Sequence, residues 1–497
     1  MDGGILLFLS SGLFLGWSLG ANDAANVFGT AVGSRMVRFR TAAVVCSLFV
    51  CLGAVTGGAG AAHTLGRLGA VNALGGSFTV ALAAALATFA MTRLGLPVST
   101  SQAVVGAIIG WNLYAGMVTG TSALSKILLS WVLCPVLAAV VAVVVYDLMR
   151  RIRKRTRMHL LRQDAAVRWG LLVVGAFGSY SLGANNIANV MGVFVPDNPF
   201  NDLVVLGITF TGVQQLFLLG GLAIGVGVLT YSERVMRTVG NRLLRLSPEA
   251  ALVVVLAQSV VLFLFASEGL EGWLAARGLP TLPLVPVSSS QAVIGAILGL
   301  GLLKGGRGVR WRPLGGVGLG WLATPVVAGV TAFFLLFFVD NVFDQPVARP
   351  VTYRIDAAVA RQLETEGLDI ATLSLLVGEE HTNALVLQDR LTETAGLAGG
   401  AARRVIEMAE MSPTWIDLGR TNLDLDRDWL ALDQLHALRS VSGRRFEHRW
   451  QLHQALAEAS PLWRLREETP LNRVWNQELR QKLAHIDRVF AVTETHP

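Results

Sequence analysis

The chain has 497 residues, 53% of them apolar and 15% charged, where soluble domains carry about 25% charged residues, so a wholly soluble protein is excluded. The net charge of +7 does not point to nucleic acid, because the charges are segregated: residues 345–497 hold 22 of the 34 acidic groups and 18 of the 41 basic ones, and the first 344 residues carry the basic excess. Basic loops between apolar segments set membrane orientation, and no nucleic-acid partner is expected.

The start, Met1-Asp2-Gly3-Gly4, lacks a basic region and a small-residue cleavage site, so no removable signal peptide is expected. A hydrocarbon core about 30 Å thick takes about 20 apolar residues as helix. Ten stretches qualify. In the first half they are 4–20, 41–62, 71–91, 97–114 and 122–146; in the second, 169–184, 203–231, 250–266, 284–303 and 313–339. One segment in each half could be a re-entrant hairpin, so an all-α membrane protein of ten to twelve transmembrane segments is expected. Cys46, Cys51 and Cys134 fall inside these runs, odd in number and without zinc spacing, and read as packing residues.

Orientation follows from the loops. With Arg150, Arg151, Arg153, Lys154, Arg155 and Arg157 in the cytoplasm, stepping outward one span at a time puts 20 of the 23 basic residues of this part on that side. Only Arg67, Lys126 and Arg277 fall opposite, with Asp197, Asp202, Glu268 and Glu271. An even span count then places the N-terminus and the tail on the extracytoplasmic side of a cell (inner) membrane.

Three blocks occur twice in the same order. Gly20-Ala21-Asn22-Asp23-Ala24-Ala25-Asn26-Val27 matches Gly183-Ala184-Asn185-Asn186-Ile187-Ala188-Asn189-Val190. Pro97-Val98-Ser99-Thr100-Ser101-Gln102-Ala103-Val104 matches Pro286-Val287-Ser288-Ser289-Ser290-Gln291-Ala292-Val293, and Trp131-x3-Pro135 matches Trp321-x3-Pro325. The last two pairs are offset by 189 and 190 residues, which is one register. Five spans per half, an odd number, turn equivalent blocks toward opposite faces, the inverted repeat of many secondary transporters. The expected domains are a first repeat (1–147), a basic cytoplasmic loop (148–168), a second repeat (169–344) and a soluble helical tail (345–497). A duplication kept only for packing would repeat apolar periodicity rather than short polar strings.

The strings carry distinct chemistry. A carboxylate at membrane depth costs at least ~2.5 kcal/mol and usually marks an ion path. Asp23, between Asn22 and Asn26, offers hard oxygen ligands for Na+ or a transferred proton, and Asn185 and Asn186 occupy the twin positions. Gly20, Gly29 and Gly33 are places where this helix could break and expose carbonyls; the alternative is a protonated Asp23 holding a helix contact. The serine strings suit an anion. Proline is favoured in a first helical turn, whose amides are free and whose end carries about half a positive charge. Such an end holds phosphate or sulfate without a basic side chain. Ser99, Thr100, Ser101 and Gln102, with Ser288, Ser289, Ser290 and Gln291, would supply further polar groups; the bland alternative is serine N-caps finishing a helix. His63, Gln214, Gln215 and Gln258 are weaker candidates, and Trp111, Trp131 and Trp321 read as interfacial or packing aromatics. No nucleophile–base pair or metal cluster lies in the apolar part, so neither an enzyme nor a cofactor is expected.

On residues 20–34 (GANDAANVFGTAVGS), 183–192 (GANNIANVMG) and the strings from Pro97 and Pro286, roughly residues 1–344 resemble the inorganic phosphate transporter (PiT) family, the sodium- or proton-coupled phosphate permeases. The resemblance implies an inverted-repeat symporter, often a homodimer, importing inorganic phosphate. It implies a substrate site at Asp23, Asn26, Ser99, Thr100, Ser101, Asn189, Ser288, Ser289 and Ser290, with the coupling cation at Asp23 and Asn26. One departure stands out: the family's second block usually reads Gly-x-Asn-Asp, and Asn186 replaces that Asp. Cation binding there is expected to weaken. Related permeases without such carboxylates include sulfate carriers, so sulfate stays open as substrate, as does an anion sensor signalling through the tail. In that tail Leu430, Leu432, Leu435, Leu438, Leu452, Leu456 and Leu462 recur at helical spacing, and Ser412-Pro413 and Ser460-Pro461 read as breaks. Asp424, Asp426, Asp428 and Asp433 read as solvated helix starts rather than a metal site.

Overall fold

The structure is a computed structural model describing residues 3–66, 68–69, 71–93, 98–155, 159–196, 198–205, 208–239, 247–303, 305, 311–368, 373–397, 399–419, 425 and 429–492. Two compact units divide the chain. The first takes in 1–115, 119–271 and 281–349; the second takes in 116–118, 272–280 and 350–497.

The helices before the tail run α1 (Gly3–Gly33), α2 (Phe39–Gly57), α3 (Ala59–Gly66), α4 (Leu74–Arg93), α5 (Thr100–Ala115), α6 (Thr121–Arg155) and α7 (Leu160–Met191). They continue α8 (Gly212–Thr230), α9 (Ser232–Val239), α10 (Pro248–Ala266), α11 (Glu268–Ala275), α12 (Ser289–Leu303) and α13 (Trp311–Asn341). Among the described residues, eight helices are long and apolar enough to cross a membrane: α1, α2, α4, α6, α7, α8, α10 and α13. The segments expected at 97–114 and 284–303 are shorter. α5 has 16 residues and α12 has 15, about 24 and 22 Å of rise, each less than the hydrocarbon thickness.

Three expectations change. The helix does not break at Gly20 or Gly29; α1 runs unbroken over 31 residues and ends at Gly33, and α7 is continuous over 32. The polar side chains are accommodated without opening the main chain: the Asn22 amide donates to the Ser18 carbonyl one turn back at 3.0 Å. Gly20 serves close approach instead, since a Cβ there would strike the Ile224 carbonyl of α8, and one at Gly183 would strike Val50 of α2. The run expected at 203–231 starts as an antiparallel hairpin, β1 (Leu203–Val205) with β2 (Ile208–Phe210), and becomes helical only at Gly212. Thr211 and Gln214 close a capping box there, and Asp202 accepts from the Gly212 amide at 2.6 Å. The basic stretch after 147 is mostly helix, because α6 continues to Arg155 and α7 begins at Leu160.

Packing repeats in exchanged form. α2 lies on α7 as α8 lies on α1, and α13 lies on α5 as α6 lies on α12. Gly106 of α5 meets the Pro325 carbonyl of α13, and Gly295 of α12 meets the Pro135 carbonyl of α6. Both prolines sit inside continuous helices, where each removes a hydrogen bond to the carbonyl four residues back, Trp321 or Trp131. Trp111 is a packing residue: fully buried, it donates to the Val347 carbonyl at 2.9 Å.

The second unit is not purely helical. Strand Met411–Trp415 pairs antiparallel with Arg445–His448, irregular between Met411 and Thr414, so Ser412-Pro413 lies in a strand; proline is tolerated at such an irregularity. Ser460-Pro461 is the expected break, ending the helix Arg449–Ala459. Leu438, Leu452 and Leu456 are buried, whereas Leu432 is exposed. His448 is fully buried, its ring nitrogens 3.0 Å from the Glu410 carbonyl and 3.2 Å from Asp356, which caps the helix Ala357–Thr365. Asp433 lies in the first turn of helix Leu432–Ser440; Asp424, Asp426 and Asp428 lie outside the described residues.

Candidate functional site

Each serine string starts a short helix. Ser99 and Ser288 are N-caps, accepting from the Gln102 and Gln291 amides at 3.4 and 3.3 Å. For these two residues the bland alternative is what the structure has. Pro286 sits two residues before the cap, outside the helix rather than in its first turn, because the serine cap sets the helix start; Pro97 lies outside the described residues. The first-turn amides of Thr100, Ser101, Ser289 and Ser290 precede any in-helix acceptor, as at every helix start.

The two starts lock to each other reciprocally. The Ser101 hydroxyl donates to the Val287 carbonyl at 3.3 Å, and the Ser290 hydroxyl donates to the Val98 carbonyl at 3.1 Å. The Ser290 proton is thereby spent, so Ser288 donates across the 2.9 Å separating their oxygens. Each start also receives the asparagine block of the other half. Asn26 of α1 donates to Ser289 at 3.1 Å, and Ser289 donates onward to Asp23 Oδ2 at 2.7 Å. Asn189 of α7 donates to Ser101 at 2.8 Å and to Asn186 Oδ1 at 3.0 Å. Asn185 donates to the Val285 carbonyl at 3.5 Å, a long contact. Of the residues expected at the site, Asp23, Asn26, Ser101, Asn186, Asn189, Ser288, Ser289 and Ser290 are joined in this network. Thr100, Gln102 and Gln291 adjoin it in the same first turns, and Asn22 turns back on its own helix.

The two sides of the network differ in burial. Asn185, Asn186 and Asn189 are at most 1% exposed, whereas Asn22, Asp23 and Asn26 are half-buried. Inside the closed part, polar atoms are left over: Gln102 Oε1, Gln291 Oε1, Asn185 Oδ1, Asn189 Oδ1 and Asn186 Nδ2 have no hydrogen-bond partner among the described residues. Buried polar groups are nearly always paired, so five orphans beside one network make this the candidate place for a polar ligand. Four are carbonyl-type acceptors and one is a donor, and the network residues include no lysine or arginine.

Among the weaker candidates, Gln214 serves the capping box and Gln215 donates to the Asn201 and Phe210 carbonyls, so both secure the hairpin. Gln258 in α10 is fully buried, with neither side-chain polar atom paired among the described residues. His63 lies half-buried in α3. The glycine–proline contacts were missed, although the repeat continues through them: Ala103-Val104-Val105-Gly106-Ala107-Ile108 matches Ala292-Val293-Ile294-Gly295-Ala296-Ile297.

This architecture has relatives. A family model described as the phosphate transporter family matches residues 19–271 and 278–456, past the position 344 where the resemblance was expected to stop. A protein of Methanocaldococcus jannaschii named as a candidate phosphate permease is 28% identical over 332 residues, covering 67% of this chain and 96% of its own length. The sulfate permease CysP of Bacillus subtilis is 29% identical over 330 residues, covering 65% of this chain and 85% of its own. A solved structure of a protein named the sodium-dependent phosphate transporter shares the fold at a TM-score of 0.53 and 22% identity, over 68% of this chain and 98% of that one. The chain is a multi-pass membrane protein and belongs to the phosphate transporter family.

Proposed function

We propose that the chain imports inorganic phosphate by cation symport. One observation carries the reading: two serine-rich helix starts from different halves are bonded to each other and to the asparagine blocks, beside four buried acceptors and one buried donor with no partner among the described residues. The starts of α5 and α12 each direct about half a positive charge and free amides at this place, which suits a tetrahedral oxyanion. Ser289 engages only Oδ2 of Asp23, and the other carboxylate oxygen with the Asn26 carbonyl offers oxygen ligands to a cation. The orphaned amide oxygens accept from a protonated phosphate oxygen or help coordinate the cation. The sodium dependence of the solved relative supports Na+ as that cation.

The exchanged packing of α1, α2, α5 and α6 with α8, α7, α13 and α12 supports an inverted repeat working by alternating access. In this reading the half-buried α1 block faces the open side and the sealed α7 block the closed side. The loop charges support a cytoplasmic open side and an extracytoplasmic tail. A homodimer belongs to the same proposal, and crosslinking in native membranes tests it.

Purified protein in vesicles decides the matter. Labelled phosphate uptake should rise with an inward Na+ gradient or an acidic exterior and fall when K+ replaces Na+ at neutral pH. Uptake that neither gradient stimulates would remove symport. Deleting 350–497 should leave uptake standing; a sensor would show none to begin with. Sulfate is the second reading, favoured by Asn186 and by the sulfate permease relative, and stronger competition by sulfate than by unlabelled phosphate would turn the assignment to it.

A further inference from the structure

Asn186 occupies the place in the second half that Asp23 occupies in the first, and the hydrogen bonds around it fix which way its amide points. Ser101 gives its proton to the Val287 carbonyl, so the Asn189 atom facing it is the nitrogen, whose two hydrogens go to Ser101 and to Asn186 Oδ1. A nitrogen donating into Asn186 requires an oxygen there, so the Asn186 NH2 group points away from Asn189. It is 1% exposed and meets no acceptor among the described residues. Around it the other orphaned side-chain atoms of the network, on Gln102, Gln291, Asn185 and Asn189, are all acceptors.

We propose that Asn186 is a specificity-determining residue of the anion site, its buried NH2 group donating to a substrate oxygen that carries no proton. The inference rests on the oxyanion-transport reading and sharpens it. The two halves then do opposite work with one backbone frame. Asp23 presents negative charge and calls for a cation or a substrate hydroxyl, while Asn186 presents N–H and calls for a bare oxygen. A bare oxygen is available on the phosphate dianion and on sulfate alike, so this half accepts either. A carboxylate at 186 would demand either a second cation or a P–OH group, which sulfate lacks.

Two substitutions in full-length protein reconstituted in vesicles test this, read by labelled phosphate uptake, competition by sulfate, and titration of Na+ and pH. N186D keeps the shape and should weaken sulfate competition by roughly tenfold, the loss of one hydrogen bond to a charged acceptor, while making uptake depend more steeply on the cation. N186A should raise the KM for phosphate and the inhibition constant for sulfate together, by about the same factor, with cation dependence unchanged. Wild-type sulfate competition and cation dependence in N186D, or a wild-type KM in N186A, would overturn the assignment while leaving phosphate transport intact. Should N186D fail to accumulate, N186A decides alone. Unmutated protein that moves neither anion would overturn the transport reading itself.

Discussion

The polar block of α1 and its twin in α7 are built alike and finish differently. Both reach across to the serine-rich start of the other half: Asn26 to Ser289, and Asn189 to Ser101. Yet the α1 block carries a carboxylate at its fourth residue and is half-buried, while the α7 block carries an amide there and is sealed. Backbone symmetry therefore places the donors, and single side chains decide sign and access. A duplicated frame can hold one anion between two chemically unequal walls, one suited to a cation and one to a bare oxygen.

Erasing the inequality should have the largest effect. D23N gives both walls an amide and keeps the shape, and it should abolish cation-coupled uptake, a fall of roughly a hundredfold. Uptake with unchanged cation dependence in D23N would remove Asp23 from coupling. Next in size is the shared frame. Gly106→Leu and Gly295→Leu each drive a side chain into a proline carbonyl of the facing helix, and each should destabilise the fold by about 1–3 kcal/mol or more. Thermal unfolding in detergent should show the pair shifted alike, with Gly269→Ala, which meets nothing within 4 Å, as the silent control. A large difference between Gly106→Leu and Gly295→Leu would mean that the halves do not share a packing rule.

What was legible in the sequence was the frame's chemistry. Ser99 to Gln102 and Ser288 to Gln291 recur in register, and side-chain type alone says what such groups can bind. What those groups actually touch was less visible. Ser99 and Ser288 could be caps or ligands, and only the distance to the Gln102 and Gln291 amides separates the two. Gly20 could break a helix or admit a neighbour; that depends on α8, some two hundred residues later, lying against it. The unequal burial of the twin blocks is a property of one conformation, not of composition. In the tail, Ser412-Pro413 looked like a helix break because proline's missing N–H is read locally, whereas pairing with Arg445–His448 is not local.

A smaller effect separates the two serine bridges. S101A removes an acceptor of Asn189 inside the sealed wall and leaves a buried N–H unpaired, at a cost of about 1–3 kcal/mol. S290A removes the bridge to Val98 and the acceptor of Ser288, at a half-buried place where water can substitute for both, and should cost about 1 kcal/mol or less. Phosphate KM should rise more in S101A than in S290A. Equal effects would show that the α7 wall is no drier than the α1 wall.

The smallest effect lies where water replaces lipid. In the tail Arg404 grips Glu366 with two hydrogen bonds of 2.8 Å, and those bonds hold the Glu366 carboxyl below its ordinary range. A depressed carboxyl stabilises the fold above the unfolded value, about 4.3 for glutamate, and loses that contribution as pH falls through the folded value. The pair is partly exposed, so solvent screens it and its worth stays under about 1 kcal/mol. E366Q should therefore lower protection of the tail from proteolysis slightly at pH 7, by an amount that shrinks as pH falls below the unfolded value, with phosphate uptake untouched. A loss of uptake as large as that of D23N would mean that charge in the tail acts on transport as strongly as charge in the membrane, and the contrast between the two solvents would fail.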